Sequence, residues 1–177
     1  MFAPGLFSYY RSEMDKLFSS NPLLRRIGNT AWAAATFNLG PRTVTVPHTD
    51  LANLAWGWCA ITALGNYDYR HGGHLILWDI GLIIEFPPGT TMLIPSAVIR
   101  HSNTTIAHGE ERYSFTQYSA GGLFRWVSNG GCSDKSFELN ATEAQRIQRV
   151  AERTNRWEKG LGMLSKFSDI INTVPSS

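Results

Sequence analysis

Hydrophobic residues follow two different rhythms along this chain. From about Trp32 to Val127, short runs of Val, Ile, Thr, Phe and Trp alternate with Gly and Pro, which is strand chemistry. Toward both ends the apolar residues spread to helical spacing. Residues 8–18 (SYYRSEMDKLF) put Tyr10, Met14, Leu17 and Phe18 near one helix face, and the following Ser-Ser-Asn-Pro stops the helix. The strand-like runs predict strands near 32–38, 43–50, 57–63, 73–78, 81–86, 91–94, 97–101, 112–119 and 123–127. Gly81 and Pro87-Pro88-Gly89 mark the clearest turns. After Asn140 the period lengthens again. Thr142 and Gln145 form a capping box, and Gly160 and Gly162 end the helix. Its apolar stripe of Ala144, Ile147, Val150, Ala151 and Trp157 is expected to pack on the strand-rich core.

Many short strands with a helix at either end predict a mainly β fold. The expected form is a double-stranded β-helix, a jelly-roll barrel of the cupin type, with flanking N- and C-terminal helices. Residues 1–30 are then an N-terminal helical extension and 31–127 the core. Residues 128–177 form a C-terminal helical segment packed on that core. The strand-rich stretch is short for eight strands of ordinary length, so truncation of a longer arrangement is an open expectation.

Composition narrows this picture only a little. With 43% hydrophobic and 17% charged residues, the chain has material for one real core and does not resemble a disordered tail. A net charge of +2 neither demands nor excludes a polyanionic partner. Cys59 and Cys132 make no CxxC, which disfavours both a disulfide scaffold and a Cys-rich zinc site. The first residues lack the pattern of a signal peptide, and no apolar run approaches the length of a membrane span. An intracellular protein is expected, with its thiols reduced.

The chemistry concentrates in Thr43-Val44-Thr45-Val46-Pro47-His48-Thr49-Asp50. On a strand, Val44, Val46, His48 and Asp50 share one face, so valines turned inward would carry His48 and Asp50 in with them. A second histidine from a later strand would complete a 2-His-1-carboxylate set, which leaves positions open on non-haem Fe(II). His101 fits that place, following a Pro-Gly turn, an apolar run and a Pro95-Ser96 break. Arg112 and Ser114 follow and share a strand face. A guanidinium fork beside a hydroxyl suits the far carboxylate of a dicarboxylic acid. His71 and His74 flank Gly72-Gly73, which argues against a helical metal pair and for a surface or rim position; His108 is expected in solvent.

The spacing His101-x10-Arg112-x-Ser114, after His48-x-Asp50, resembles the Fe(II)/2-oxoglutarate-dependent dioxygenase superfamily. The likeness extends to Trp56-Gly57-Trp58-Cys59-Ala60-Ile61-Thr62-Ala63, Gly72-Gly73-His74-Leu75-Ile76-Leu77-Trp78 and Arg112-Tyr113-Ser114. Over roughly residues 10–165 the chain is similar to a group of fungal proteins near the TET/JBP-like dioxygenases, which oxidise methylated bases in DNA. The resemblance implies Fe(II) on His48, Asp50 and His101 as the catalytic centre, and 2-oxoglutarate anchored by Arg112 and Ser114. Asn38 matches an amide that helps hold the co-substrate in AlkB-type demethylases, or else forms the turn before Gly40-Pro41. Dioxygen is the second co-substrate, and DNA or RNA carrying methylated bases is the implied partner. Trp56, Tyr67, Tyr69 and Arg70, with Asn53, lie in segments expected to reach the barrel mouth, where they either contact a flipped base as substrate residues or are ordinary barrel packing.

Arg146, Arg149, Arg153 and Arg156 form a stripe that either follows phosphates or is a solvated face with Glu143 and Glu152. Three rival readings stay open: an oxygenase for protein or small molecules, a non-catalytic and truncated jelly-roll binding module, and a metal-binding cupin without 2-oxoglutarate. A nucleic-acid substrate would put the protein in the nucleus, and any other in the cytoplasm. The oligomeric state is left open.

Overall fold

The computed structural model describes residues 3–24 and 28–171. The chain divides into two compact units, Trp32–Gly122 and a second one made of Met1–Ala31 with Leu123–Ser177. Among the described residues no helix is long and apolar enough to cross a membrane.

The Trp32–Gly122 unit is built of antiparallel strands: β1 (Ala34–Asn38), β2 (Cys59–Asn66), β3 (Leu75–Leu77), β4 (Leu82–Ile84), β5 (Thr91–Ile94), β6 (His101–Asn103) and β7 (Glu111–Tyr118). One sheet runs β1-β7-β2-β5 and the other β4-β3-β6. Between them lies a core of Cys59 and Ala63 from β2, Leu75 and Leu77 from β3, Ile94 from β5, and Phe86. Phe86 is fully buried, which alone stabilises the unit by about 1.5–3 kcal/mol. Period-2 alternation is clearest on β7, where Arg112 and Ser114 are buried and Glu111 is exposed. Register then fixes neighbours across the sheet, with Ser114 opposite Asn38 on one side and Ala63 on the other. This is the expected mainly β jelly-roll fold.

Several expected strands take another form. Residues 43–50 form no strand: ladder pairing there is limited to isolated bridges, Arg42 to Arg112 and His48 to His101. Pro47 has no N–H to offer a ladder. Asn103 Oδ1 instead accepts from the backbone N–H of Thr45 at 2.8 Å and from its hydroxyl at 2.9 Å. Val44 and Val46 are 52% and 78% exposed, so the valines do not lead the site residues inward. Residues 97–99 are a turn, and the strand starts at His101 itself. The expected last strand at 123–127 is a helix, α2 (Gly121–Ser128). Its Phe and Val content imitates a strand, but Phe124 is buried on helical spacing. Gly130 and Gly131, at φ 73 and 84, supply the left-handed backbone that ends the helix.

The helical unit contains α1 (Pro4–Ser20), α3 (Asp134–Asn140), α4 (Glu143–Leu161) and α5 (Phe167–Ile171). Proline at its start gives α1 a first turn with one fewer unsatisfied donor. Its buried face is Leu6, Tyr10, Met14 and Leu17, with Tyr10 edge-on to Phe124 at 5.2 Å. The capping box of Thr142 and Gln145 opens α4.

The face of α4 reverses the sequence expectation. Ile147, Val150 and Trp157 are 63%, 65% and 50% exposed, not buried. Arg149, expected to point outward, lies instead against α3. Its guanidinium is 4.7 Å from the Phe137 ring centroid, 2.7 Å from Asp134 and 3.1 Å from Glu138. Arg146 donates to the Glu138 carbonyl at 2.9 Å. Two carboxylates and an aromatic ring on α3, a helix that the apolar periodicity does not reveal, outweigh the hydrophobic stripe in setting which face turns inward.

Candidate active site

His48 and His101 exchange two backbone hydrogen bonds, His48 N–H to His101 O at 3.0 Å and His101 N–H to His48 O at 2.8 Å. This pairing brings the two rings to a centroid separation of 4.4 Å at 50°. Each ring is then turned by its own chain. Nδ1 of His48 lies 2.8 Å from the Val46 carbonyl, and Nδ1 of His101 lies 2.9 Å from that of Ile99. A carbonyl oxygen only accepts, so both rings carry their hydrogen on Nδ1 and present a bare Nε2 lone pair. His101 is buried. Desolvation holds its pKa below the ordinary histidine value, against the opposing pull of the Ile99 carbonyl and of Asp50, which favours the neutral ring that a metal ligand needs.

Asp50 completes the group. Its backbone N–H donates to Ser96 O at 2.9 Å, and Oδ1 lies 3.6 Å from His48 Nε2. Oδ2 accepts from Asn53 Nδ2 at 3.2 Å, and the same amide reaches Ser96 Oγ at 3.3 Å. The three ligand atoms all lie within 4.8 Å of one another. Small side-chain rotations bring such a set onto one ion at about 2.0–2.2 Å from each. Two imidazoles and one carboxylate on one side, with space opposite, fit a non-haem iron centre.

These residues line a cavity of about 440 Å³ together with Asn38, Arg112, Ser114 and Asn103. Arg112 is 2% exposed. One of its terminal nitrogens donates to Thr43 O at 3.1 Å, another contact goes to the Tyr67 hydroxyl, and the guanidinium carbon stands 5.9 Å from the Phe86 ring centroid. Burial lowers its pKa, partly offset by Tyr67. Its Nε has no hydrogen-bond partner and its charge no carboxylate partner among the described residues. A buried, unpaired guanidinium in a cavity fits a carboxylate ligand, since such a cation is otherwise costly to hold. Ser114 is buried beside it, and its hydroxyl accepts from Asn38 Nδ2 at 2.9 Å. Thr116 and Tyr118 continue the same face of β7 along the cavity.

The structure therefore brings together His48, Asp50, His101, Asn38, Arg112 and Ser114. It does not bring Trp56, Tyr69 or Arg70 to the cavity wall. Tyr69 packs against the core, Arg70 is exposed with its guanidinium 5.7 Å from the Tyr69 ring centroid, and Trp56 is half-buried. Asn53 does line the cavity, where it is bonded to Asp50. Tyr67 is buried in the core, away from any role at a mouth. His71 is exposed and paired with Asp68 at 2.8 Å, and His108 is exposed. Sequence reasoning missed Asn103, although it lies two residues after His101 and alternation puts it on the same face. Phe86 gave no signal beyond hydrophobicity.

No family model and no curated protein matches the chain. Among solved structures it is similar to NgTET1 in complex with 5mC DNA, with a TM-score of 0.53 and 19% identity over 66% of this chain. That overlap spans 42% of the NgTET1 chain. A weaker likeness is to the viral collagen prolyl hydroxylase of Paramecium bursaria Chlorella virus-1 in its 2-oxoglutarate complex. There the TM-score is 0.34 and the identity 11%, over 63% of this chain and 70% of that one. The β unit thus shares its jelly-roll fold with the DNA-bound NgTET1 structure, and the His48, Asp50, His101 and Arg112 cavity lies inside that fold.

Proposed function

We propose that this protein is an Fe(II)/2-oxoglutarate-dependent dioxygenase that hydroxylates a C–H bond on a methylated nucleic-acid base. One observation carries the reading: a cavity holds both a converging His48, Asp50 and His101 group and a buried guanidinium, Arg112, that has no carboxylate partner among the described residues. A metal-binding jelly roll without a dicarboxylic co-substrate has no need of the second feature.

With iron and 2-oxoglutarate bound at these residues, dioxygen would be the oxidant, one of its atoms going into succinate as the co-substrate loses carbon dioxide and the other into the hydroxyl placed on the substrate. The residues supply position and dryness. His48 and His101 offer Nε2 because their Nδ1 hydrogens are engaged by backbone carbonyls. Asn53 engages one Asp50 oxygen and leaves the other on the side of the histidines. Arg112, with Ser114 and Asn38 beside it, receives the far carboxylate of 2-oxoglutarate. Leu75 and Phe86 line the same cavity with apolar surface that limits water.

The base substrate rests on the motif resemblance to TET/JBP-like enzymes, and the fold likeness to a protein crystallised with 5mC DNA supports it. On a C-methyl group the product is a hydroxymethyl base. On an N-methyl group the hydroxymethyl product releases formaldehyde and leaves the demethylated base. The nucleus is the compartment this substrate implies. The test is to incubate iron-loaded protein and 2-oxoglutarate with DNA containing 5-methylcytosine or N6-methyladenine, single- and double-stranded, and to analyse the bases by mass spectrometry. Oxidised or demethylated bases are expected. Succinate release with every base unchanged would contradict the nucleic-acid substrate and leave an oxygenase for protein or small molecules.

A further inference from the structure

The sequence singles out Gly72-Gly73, and the function so far uses neither residue. Both lie where backbone must come very close to something else. A Cβ on Gly72 would stand 2.6 Å from the Thr105 carbonyl oxygen. A Cβ on Gly73, whose φ is +71°, would stand 2.5 Å from Cε2 of Tyr67. The Tyr67 ring therefore lies on bare glycine backbone, in the core with Phe86 and Ile106. Its hydroxyl donates a short hydrogen bond to the Phe86 carbonyl. That carbonyl only accepts, so the Tyr67 proton is committed to it. What remains on the oxygen is a lone pair, left for the neighbouring Arg112 guanidinium, which only donates and stands 5.9 Å from the centroid of the Phe86 ring.

Arg112 is thus held by a neutral acceptor, Thr43 O, and by the Phe86 ring, with the Tyr67 hydroxyl as a neutral neighbour. A carboxylate in their place would orient the guanidinium equally well but would neutralise it. Neutral acceptors fix the fork and leave its charge for a ligand.

We propose that Tyr67, seated on Gly73, is a positioning residue that sets the orientation in which Arg112 receives the distal carboxylate of 2-oxoglutarate. The inference rests on the reading of Arg112 as the co-substrate anchor. Tyr67 does not touch the co-substrate in this account; it acts through Arg112.

The experiment measures 2-oxoglutarate affinity of the Fe(II)-loaded protein without oxygen, in wild type, Tyr67→Phe, Arg112→Met and the double variant, with Mn(II) affinity measured in parallel. Tyr67→Phe keeps the ring on its glycine seat and removes only the hydroxyl. It should weaken 2-oxoglutarate binding at least about tenfold, as expected for losing a hydrogen bond to a charged group. Mn(II) affinity should stay unchanged, as should the affinity for pyruvate, which lacks the distal carboxylate. In the Arg112→Met background, Tyr67→Phe should cost nothing further. Equal 2-oxoglutarate affinity in wild type and Tyr67→Phe would overturn the inference and leave the proposed function standing. A parallel fall in Mn(II) affinity would also overturn it, by showing general damage to the fold. Failure of the wild type to bind 2-oxoglutarate at all would overturn both. If Tyr67→Phe does not fold, 3-fluorotyrosine at position 67 keeps the hydroxyl and supplies a fluorine signal. That signal should shift on addition of 2-oxoglutarate, and no shift at saturation would overturn the proposal.

Discussion

Two buried side chains in the cavity differ in what burial does to them. Arg112 keeps its charge although it is only 2% exposed, because a guanidinium is too basic to lose its proton at neutral pH and Thr43 O accepts from one arm of the fork. Arg112→Lys keeps the charge and loses the planar fork. It should raise the 2-oxoglutarate Kd about tenfold or more, and an unchanged Kd would remove Arg112 from the site. Cys59 shows the opposite behaviour. Desolvation, reinforced by the nearby negative Asp50, pushes its thiol up to about 12, so the thiolate is scarce at neutral pH. Iodoacetamide at pH 8 should therefore label Cys132 and spare Cys59, as mapped by peptide mass spectrometry. Fast labelling of Cys59 would contradict the burial described for it.

Among the elements, α4 makes the most exposed claim. Its apolar stripe faces solvent while Arg149 bridges Asp134 and Glu138 on α3. Ile147→Lys should change stability by less than about 0.5 kcal/mol, as for an ordinary surface substitution. Arg149→Ala should cost about 1–2 kcal/mol, since it removes charged hydrogen bonds and a cation–π contact together. Urea unfolding of the two variants measures both, and the reverse ranking would show that the stripe is buried after all. The element also shows where sequence reading stops. The capping box at Thr142 was legible because it is local, whereas the buried face depended on α3, whose short, polar sequence carries no periodic signal. The 43–50 segment is similar. His48-x-Asp50 was legible as chemistry, but the strand alternation used to aim it does not exist there. What aims His48 is its bridge to His101, a partner far away in sequence. Arg112 and Ser114 were legible for the physical reason given, since β7 is a regular strand with one buried face. Tyr67 was misread as a rim residue because its place is set by Gly73 and Phe86, contacts that exist only in the folded chain.

For the whole molecule, His48 and Asp50 are separated from His101 by about half the strand-rich unit, so an ion that the three shared would bind only the folded state. By mass action, Mn(II) at about one hundred times its Kd should stabilise the protein by about 2.7 kcal/mol. The Tm should rise accordingly, and His101→Ala should abolish the rise. An equal rise in that variant would show that the metal binds elsewhere. The most direct single measurement is an anaerobic titration of the protein with Fe(II) and then 2-oxoglutarate, followed by visible absorption. A weak charge-transfer band that saturates at one equivalent of each, and is lost in His101→Ala and weakened in Arg112→Lys, is the predicted result; Fe(II) binding with no band at any 2-oxoglutarate concentration would contradict the account.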